Sequence, residues 1–202
     1  MSKEEGKRGD LEFGTVPRML ARSAERFGER SAIEDGATRF TYRELRERVL
    51  EVGASLLARG IQRGDRVAVW APNVWEWAVA ALGALHVGAV LVPMNTRYRG
   101  HEAAFILGKS RARLLFTVTG FLGTDYVSLL RESGEALPSL EGIVILRGEA
   151  PEGTVAFDAF LAEGKAVSRE AVEARGLEVQ PDDPVDILFT SGTTGQPKGV
   201  VC

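Results

Sequence analysis

The segment from Thr190 to Gly199 is the part of the sequence whose residue types and spacing could do chemistry. Its ten residues include three glycines, four hydroxyl side chains and one lysine, and no acid is among them. Glycine lets a backbone approach an oxyanion closely, and amides and hydroxyls that point one way form an anion cradle. Lys198 supplies the positive charge that a polyphosphate requires. The segment therefore predicts a phosphate-binding loop, against the alternative of a plain Gly/Ser/Thr turn.

The Walker A loop is the nearest alternative phosphate-binding loop, and the spacing argues against it. Its pattern is G-x-x-x-x-G-K-[ST]. Counted from Gly192, the place of its second glycine is taken by Pro197, which lacks an amide hydrogen. The residue after Lys198 is Gly199, where Walker A has a magnesium-binding hydroxyl. The sequence also lacks a G-x-G-x-x-G pattern, which disfavours a dinucleotide-binding fold.

Apolar runs that alternate with helical patterns must position this loop. An apolar strand over 185–189 runs into it, and residues 200–202 begin a partner strand. Unbroken apolar strands separated by helices indicate an α/β fold, with a mostly parallel sheet flanked by helices. The periodicity predicts strands over 66–70, 89–92, 113–118 and 142–146, and helices over 74–85 (capped by Asn73), 100–109 and about 121–133.

The N-terminal part adds helices and a hairpin. A capping box at Thr41 and Glu44 starts a helix that ends at Gly60. The Asp35-Gly36 pair marks a tight hairpin turn. The further predictions are a disordered lead-in over 1–12, a helix over 15–27, strands over 31–33 and 38–40, a short helix over 155–163 within an otherwise less regular stretch 147–184, and a linker over 180–184.

Composition and charge limit the classes of function. The 25 basic and 28 acidic residues are interspersed and give a net charge of −3, so nucleic acid is not an expected partner. The single cysteine, Cys202, cannot form an internal disulfide, which fits a reducing, cytoplasmic setting. The apolar stretch 74–92 is rich in Ala and Gly and contains His86, so a buried helix and strand are predicted there in place of a membrane helix. The charged start of the chain lacks an apolar leader.

Several other side chains could carry chemistry, and a structural role is favoured for each. Core packing is expected for three tryptophans that could otherwise line an acyl pocket, and a core or capping role is expected for His86. The acidic residues Asp182, Asp183 and Asp186 fit no metal-ligand spacing. The tryptophans are Trp70, Trp75 and Trp77. Four arginines are expected to lie on a solvated face, with coenzyme A contact as the minor alternative: Arg97, Arg99, Arg111 and Arg113.

The stretch Ile187–Val200 resembles the AMP-binding signature of the adenylate-forming superfamily. That superfamily includes acyl-CoA synthetases, the adenylation domains of peptide synthetases, and luciferases. The stretches 41–45, 64–68 and 88–95 are similar to it as well. The resemblance is nearest to the fatty-acid and related carboxylic-acid CoA ligases, and it implies that residues 13–202 form a partial N-terminal AMP-binding domain of that fold.

The resemblance implies an ATP-dependent reaction in two steps. A carboxylate attacks the α-phosphate of ATP to give an acyl-adenylate and pyrophosphate, and the thiol of coenzyme A then displaces AMP to give a thioester. The resemblance further implies that Thr190 helps to bind Mg²⁺. The residues expected to line the phosphates are Thr190, Ser191, Gly192, Thr193, Thr194, Gly195 and Lys198.

The chain is less than half the usual length of that superfamily, whose adenine, ribose and catalytic-lysine motifs would lie beyond residue 202. The resemblance therefore assigns no catalytic residue to this chain. We expect the isolated chain to be inactive and, with unpaired sheet edges, prone to aggregation. A carrier-protein thiol in place of coenzyme A, an inert nucleotide-binding product and a homodimer stay open as alternatives, and the sequence does not identify the acid.

Overall fold

The computed structural model describes residues 14–190 and 197–202. Its helices are α1 (Val16–Phe27), α2 (Tyr42–Ala58), α3 (Trp75–His86), α4 (Gly100–Ser110), α5 (Tyr126–Glu132), α6 (Phe157–Glu163), a short 3₁₀ helix (Gly164–Ala166) and α7 (Arg169–Glu178). Its strands are β1 (Ser31–Asp35), β2 (Thr38–Thr41), β3 (Arg66–Trp70), β4 (Val90–Pro93), β5 (Ala112–Phe121), β6 (Thr124–Asp125), β7 (Gly142–Arg147), β8 (Val155–Ala156), β9 (Ile187–Thr190) and β10 (Lys198–Val201).

A mostly parallel sheet forms the centre of the molecule. In the described part of the chain its strand order is β4-β3-β5-β7-β8, and each of these neighbouring pairs is parallel, while β6 pairs antiparallel with β5. Val67 of β3 lies between Leu91 of β4 and Leu114 of β5. Helices cover both faces, as apolar parallel strands require. The predicted α/β fold, with a mostly parallel sheet flanked by helices, is confirmed.

The core lies on both sides of this sheet. Trp70 is fully buried in β3, and its ring centroid is 4.6 Å from that of Tyr126. Phe116 and Phe160 meet edge to face at 5.3 Å. Trp75 and Trp77 are partly buried and pack against the same core. The expected core packing is confirmed for Trp70 and Trp75, whereas Trp77 packs against the core and also lines a surface cleft. The stretch 74–92 forms α3 and β4. No helix in residues 14–190 or 197–202 is long and apolar enough to cross a membrane.

The start of α2 follows the prediction, whereas the start of α3 does not. In the capping box of α2, Thr41 accepts from the Glu44 amide at 3.2 Å and its own amide donates to the Glu44 carboxylate at 2.8 Å. The predicted cap of α3, Asn73, was wrong. The N-cap is Val74, without a side-chain bond, and the Trp75 amide donates to the carboxylate of Asp35 at 3.2 Å. A carboxylate 40 residues away in the hairpin replaces the local cap.

Two further elements differ from the prediction. Helix α5 begins at Tyr126 because Asp125 accepts from the amides of Val127 and Ser128, both at 3.0 Å, and the residues before it complete a tight β5–β6 turn. Helix α7 was not predicted. Ser168 caps it by accepting from the Ala171 amide at 3.2 Å, and ion pairs to α2 hold it: Arg169 to Glu47, and Glu173 to Arg46.

Candidate functional site

The hairpin formed by β9 and β10 contains the two ends of the predicted phosphate-binding loop. Its antiparallel register pairs Thr190 with Lys198 and Leu188 with Val200. The predicted strand bounds shift slightly, so that both Thr190 and Lys198 belong to the ladder. The residues Ser191, Gly192, Thr193, Thr194 and Gly195 lie outside the described part of the chain.

The side chains of Thr190 and Lys198 project from the outer face of this hairpin. Successive residues of a strand point to opposite faces, and cross-strand partners share a face. Ile187 and Phe189 pack against the core, so Thr190 and its partner Lys198 point the other way, and both are exposed. An exposed ammonium group beside an exposed hydroxyl can reach an anion that approaches from this face.

The hairpin lies at the ligand-binding edge of the parallel sheet. Leu91 of β4 and Asp186 form a parallel bridge, and the Leu91 amide donates to the carbonyl of Val185 at 3.0 Å. Because β9 therefore runs parallel to β4, Thr190 lies at the edge where the carboxyl ends of β3 and β4 also lie. Open parallel sheets bind their ligands at that edge.

A cleft of about 530 Å³ opens beside the hairpin at the same edge. The loops after β3 and β4, together with Trp77 of α3, form one side of it, and Leu188 and Phe189 form the other. Across the cleft, the hydroxyl of Tyr98 donates a hydrogen bond to the backbone carbonyl of Phe189 at 3.3 Å. Burial raises the pKa of Tyr98, so its hydroxyl stays protonated and able to donate. Tyr98 was not singled out in the sequence, because nothing local to the loop after β4 indicates a partner 91 residues away.

The four candidate arginines lie in different parts of the fold. Arg113, at the amino end of β5, is committed to the structure: hydrogen bonds to Glu141 and Asp65 raise its pKa. It lies at the opposite edge of the sheet from Thr190. Arg97 and Arg99, in the loop after β4, are exposed as expected, and Arg111 ends α4 in a left-handed conformation with φ 52°.

The remaining candidates have structural partners. His86 is buried at the end of α3, and its Nε2 lies 3.3 Å from the carbonyl of Val172, which confirms the core role. Asp183 pairs with Arg63, and this hydrogen bond lowers the pKa of the Asp183 carboxyl. Across residues 14–190 and 197–202, no group of three or more His, Cys, Asp or Glu side chains could hold a metal ion. Two of the predicted phosphate-binding residues, Thr190 and Lys198, lie within the described residues, and the fold brings them together as a cross-strand pair.

The sequence is similar to curated acyl-CoA ligases. A 3-[(3aS,4S,7aS)-7a-methyl-1,5-dioxo-octahydro-1H-inden-4-yl]propanoyl:CoA ligase of Rhodococcus jostii is 43% identical over 190 residues, a match that covers 93% of this chain and 37% of the relative. The ligase of the same name from Mycobacterium tuberculosis is 45% identical over 188 residues, covering 93% and 36%. A medium-chain acyl-CoA ligase, mitochondrial ACSF2 of Homo sapiens, is 30% identical over 94% of this chain and 33% of its own length. The chain thus spans about a third of the length of these relatives.

Solved structures of adenylate-forming ligases share the fold. The anthranilate CoA ligase AuaEII, solved in complex with anthranoyl-AMP, superposes with a TM-score of 0.80 and 27% identity, over 94% of this chain and 34% of that chain. The N-terminal domain of FACL13 from Mycobacterium tuberculosis gives a TM-score of 0.77 and 27% identity, over 94% and 44%. A family model described as "AMP-binding enzyme" matches residues 20–202. Its match over most of the chain, on the fold of the adenylate-forming ligases, shows that the chain belongs to the family of AMP-binding enzymes.

Proposed function

We propose that the β9–β10 hairpin binds the phosphates of ATP in an acyl-CoA ligase. The observation that carries this proposal is the cross-strand pair of Thr190 and Lys198, both exposed, at the carboxyl edge of the parallel sheet. The residues between them are rich in glycine and hydroxyl side chains. This composition supports a loop whose amides and hydroxyls face phosphate oxygens, with the Lys198 ammonium group neutralising part of their charge.

The reaction proposed for the whole protein has two steps. A carboxylate oxygen attacks the α-phosphorus of ATP, and the bond to the β-phosphate oxygen breaks to release pyrophosphate. The thiol of coenzyme A then attacks the acyl carbon, and AMP leaves. In the first step Lys198 and the loop residues Ser191, Gly192, Thr193, Thr194 and Gly195 hold the departing phosphates in place. Positioning and charge neutralisation supply most of the catalysis in transfers of this kind.

We further propose that Thr190 contributes its hydroxyl to a Mg²⁺ ion bound with ATP. A hydroxyl oxygen is a suitable ligand for this hard cation, which usually keeps waters and takes substrate phosphates as its other ligands. The exposed position of Thr190 at the loop entrance supports this role. The metal ion would supply further charge neutralisation at the phosphates.

The domain assignment rests on the length of the relatives. We propose that residues 13–202 form the first part of an N-terminal AMP-binding domain, and that the other groups needed for catalysis come from outside this chain. The match to two CoA ligases covers 37% and 36% of their length, which supports this division. Their names support coenzyme A as the acceptor.

The relatives also indicate the class of acid. Identity is 43% and 45% with ligases named for a propanoyl group on a fused, oxidised ring system, against 30% for human medium-chain ACSF2. We propose that the acid is a short carboxylic acid side chain on a bulky ring system.

Replacing Lys198 tests the phosphate-binding function. In the ligase that carries this chain, Lys198→Ala should lower acid-dependent exchange between ATP and pyrophosphate by about 10²-fold, because one charge-stabilising group is lost. Lys165→Ala removes an exposed lysine elsewhere and is the matched control. The exchange is measured with a ring-bearing propanoic acid and with a medium-chain fatty acid, and the first should support it better. Wild-type exchange in Lys198→Ala would contradict the proposal.

A further inference from the structure

Tyr98 lies in the loop between β4 and α4, and the core fixes that loop firmly. The backbone carbonyl of Asn95 accepts two hydrogen bonds at 3.0 Å, from the indole Nε1 of fully buried Trp70 and from the amide of Tyr98. The hydroxyl of Tyr126 donates to the carbonyl of Thr96 at 3.2 Å. The backbone that carries Tyr98 is therefore held by side chains of the core.

The Tyr98 ring adds a hydrogen bond at the outgoing end of β9, whose Ile187 and Phe189 side chains also pack against the core. The hairpin joins the sheet at the bridge between Leu91 and Asp186, and β9 continues for four residues beyond Asp186 before the loop begins. Along that continuation the Tyr98 hydroxyl holds the carbonyl of Phe189, the residue directly before Thr190. The only strand that pairs with β10 in the described part of the chain is β9, so β10 adds no second connection to the central sheet.

We propose that Tyr98 is a positioning residue for ATP binding, which it serves by tying the start of the phosphate-binding loop to the core through the Phe189 carbonyl. This proposal rests on the phosphate-binding function of the hairpin. Strand ends that are held in place before ATP binds lose less conformational freedom on binding, and affinity rises accordingly. Thr190 and Lys198 form one ladder pair, so a hydrogen bond at Phe189 constrains both.

The kinetic test uses Tyr98→Phe, which removes the hydroxyl and keeps the ring. In the ligase that carries this chain, the KM for ATP in acid-dependent pyrophosphate exchange should rise about fivefold, as expected for the loss of one neutral hydrogen bond. The kcat and the KM for the acid should change by less than about twofold. Tyr42→Phe is the matched control, since the Tyr42 hydroxyl has no hydrogen bond within the described residues. An unchanged KM for ATP, or a fall in kcat alone, would overturn the positioning role.

Amide hydrogen exchange in the ligase that carries this chain tests the hydrogen bond separately from the function. Tyr98→Phe should speed exchange in 187–190 and 198–201, and Tyr42→Phe should leave it unchanged. Unchanged exchange in Tyr98→Phe would overturn the proposal at its structural step, whatever the chain binds. A different outcome would separate the two proposals. If amide hydrogen exchange is faster in Tyr98→Phe but Lys198→Ala keeps wild-type ATP–pyrophosphate exchange, the hydrogen bond holds the hairpin and the hairpin does not bind ATP.

Discussion

His86 is a polar side chain that the fold holds in an apolar place. It ends α3 and is buried against α7, where its Nε2 lies 3.3 Å from the Val172 carbonyl. Its Nδ1 has no hydrogen-bond partner among the described residues. Burial lowers the pKa of His86, the Val172 carbonyl raises it by a smaller amount, and Arg46 and Glu173 are the nearby charges. The folded chain therefore keeps this imidazole neutral.

Stability should consequently fall as the pH drops below about 6.5, the ordinary pKa of histidine. Above that value both states hold a neutral His86. Below it the unfolded chain takes up the proton before the folded chain does, and the free energy of unfolding decreases by at most about 1.4 kcal/mol per pH unit. Urea denaturation between pH 7.5 and 5.5 measures this slope. His86→Gln should flatten it and His101→Gln, at the exposed histidine, should not. If the free energy of unfolding had the same pH slope in both variants, the pH dependence would come from a group other than His86.

Sequence reasoning at this scale succeeded where the cause was local. The capping box of Thr41 and Glu44, three residues apart, was predicted and is confirmed. By contrast, the cap of α3 comes from Asp35 and the tether of β9 from Tyr98, and both partners are distant in sequence. A tyrosine in a loop and an aspartate in a turn have many ordinary explanations, so neither role is readable before the chain is folded.

Helix packing depends on close approach at a small number of glycines. Where α2 crosses α3, a Cβ added to Gly83 would lie 2.3 Å from Cγ1 of Val52. Val52 is fully buried and branched at Cβ, so it cannot move aside. Gly108 in α4 differs, because a Cβ there would meet only Leu137, at 3.7 Å. The two helical glycines therefore have opposite roles in the same fold.

Substituting alanine at each of these glycines should change stability in opposite directions. Gly83→Ala should lower the free energy of unfolding by about 1–3 kcal/mol, because overpacking forces α2 and α3 apart. Gly108→Ala should raise it by up to about 1 kcal/mol, because alanine favours the helix and finds ordinary contact distances. Chemical denaturation of both variants measures the difference. A stabilised Gly83→Ala would mean that α2 and α3 separate easily.

The elements themselves were largely predictable, and the exceptions have a common cause. Apolar periodicity gave β3, α3, β4, α4 and β7 to within a few residues. Helix α7 was missed because its inward-facing set is small: Val172 and Gly176 are buried and the rest of the helix is polar. It is held against α2 by Val172, which packs with Leu50 and Ala54, and by ion pairs, and these are tertiary features that a periodicity argument does not detect.

On the scale of the whole molecule, the outer face of the β9–β10 hairpin is unusual for a surface. Leu188 and Val200 are cross-strand partners on the face that carries Thr190 and Lys198, and they are 43% and 50% exposed. Val201, which is 62% exposed, pairs with Ile187 and so lies on the opposite face of the same outer strand. In the described part of the chain, β10 has β9 on one side and no strand on the other. An apolar strand with a free edge readily pairs with another chain.

The 202-residue chain should therefore associate with itself through β10. Val200→Lys should weaken this association by about tenfold, the effect of about 1.4 kcal/mol, because a charged side chain at an edge opposes pairing. Leu122→Lys is the matched control: Leu122 is 86% exposed but lies in the β5–β6 turn, away from the hairpin. Sedimentation velocity over a range of concentrations measures both variants. A wild-type chain that stays monomeric at about 100 μM, a concentration at which edge pairing of unprotected strands becomes a hazard, would contradict the prediction. Equal weakening by both substitutions would place the contact outside β10.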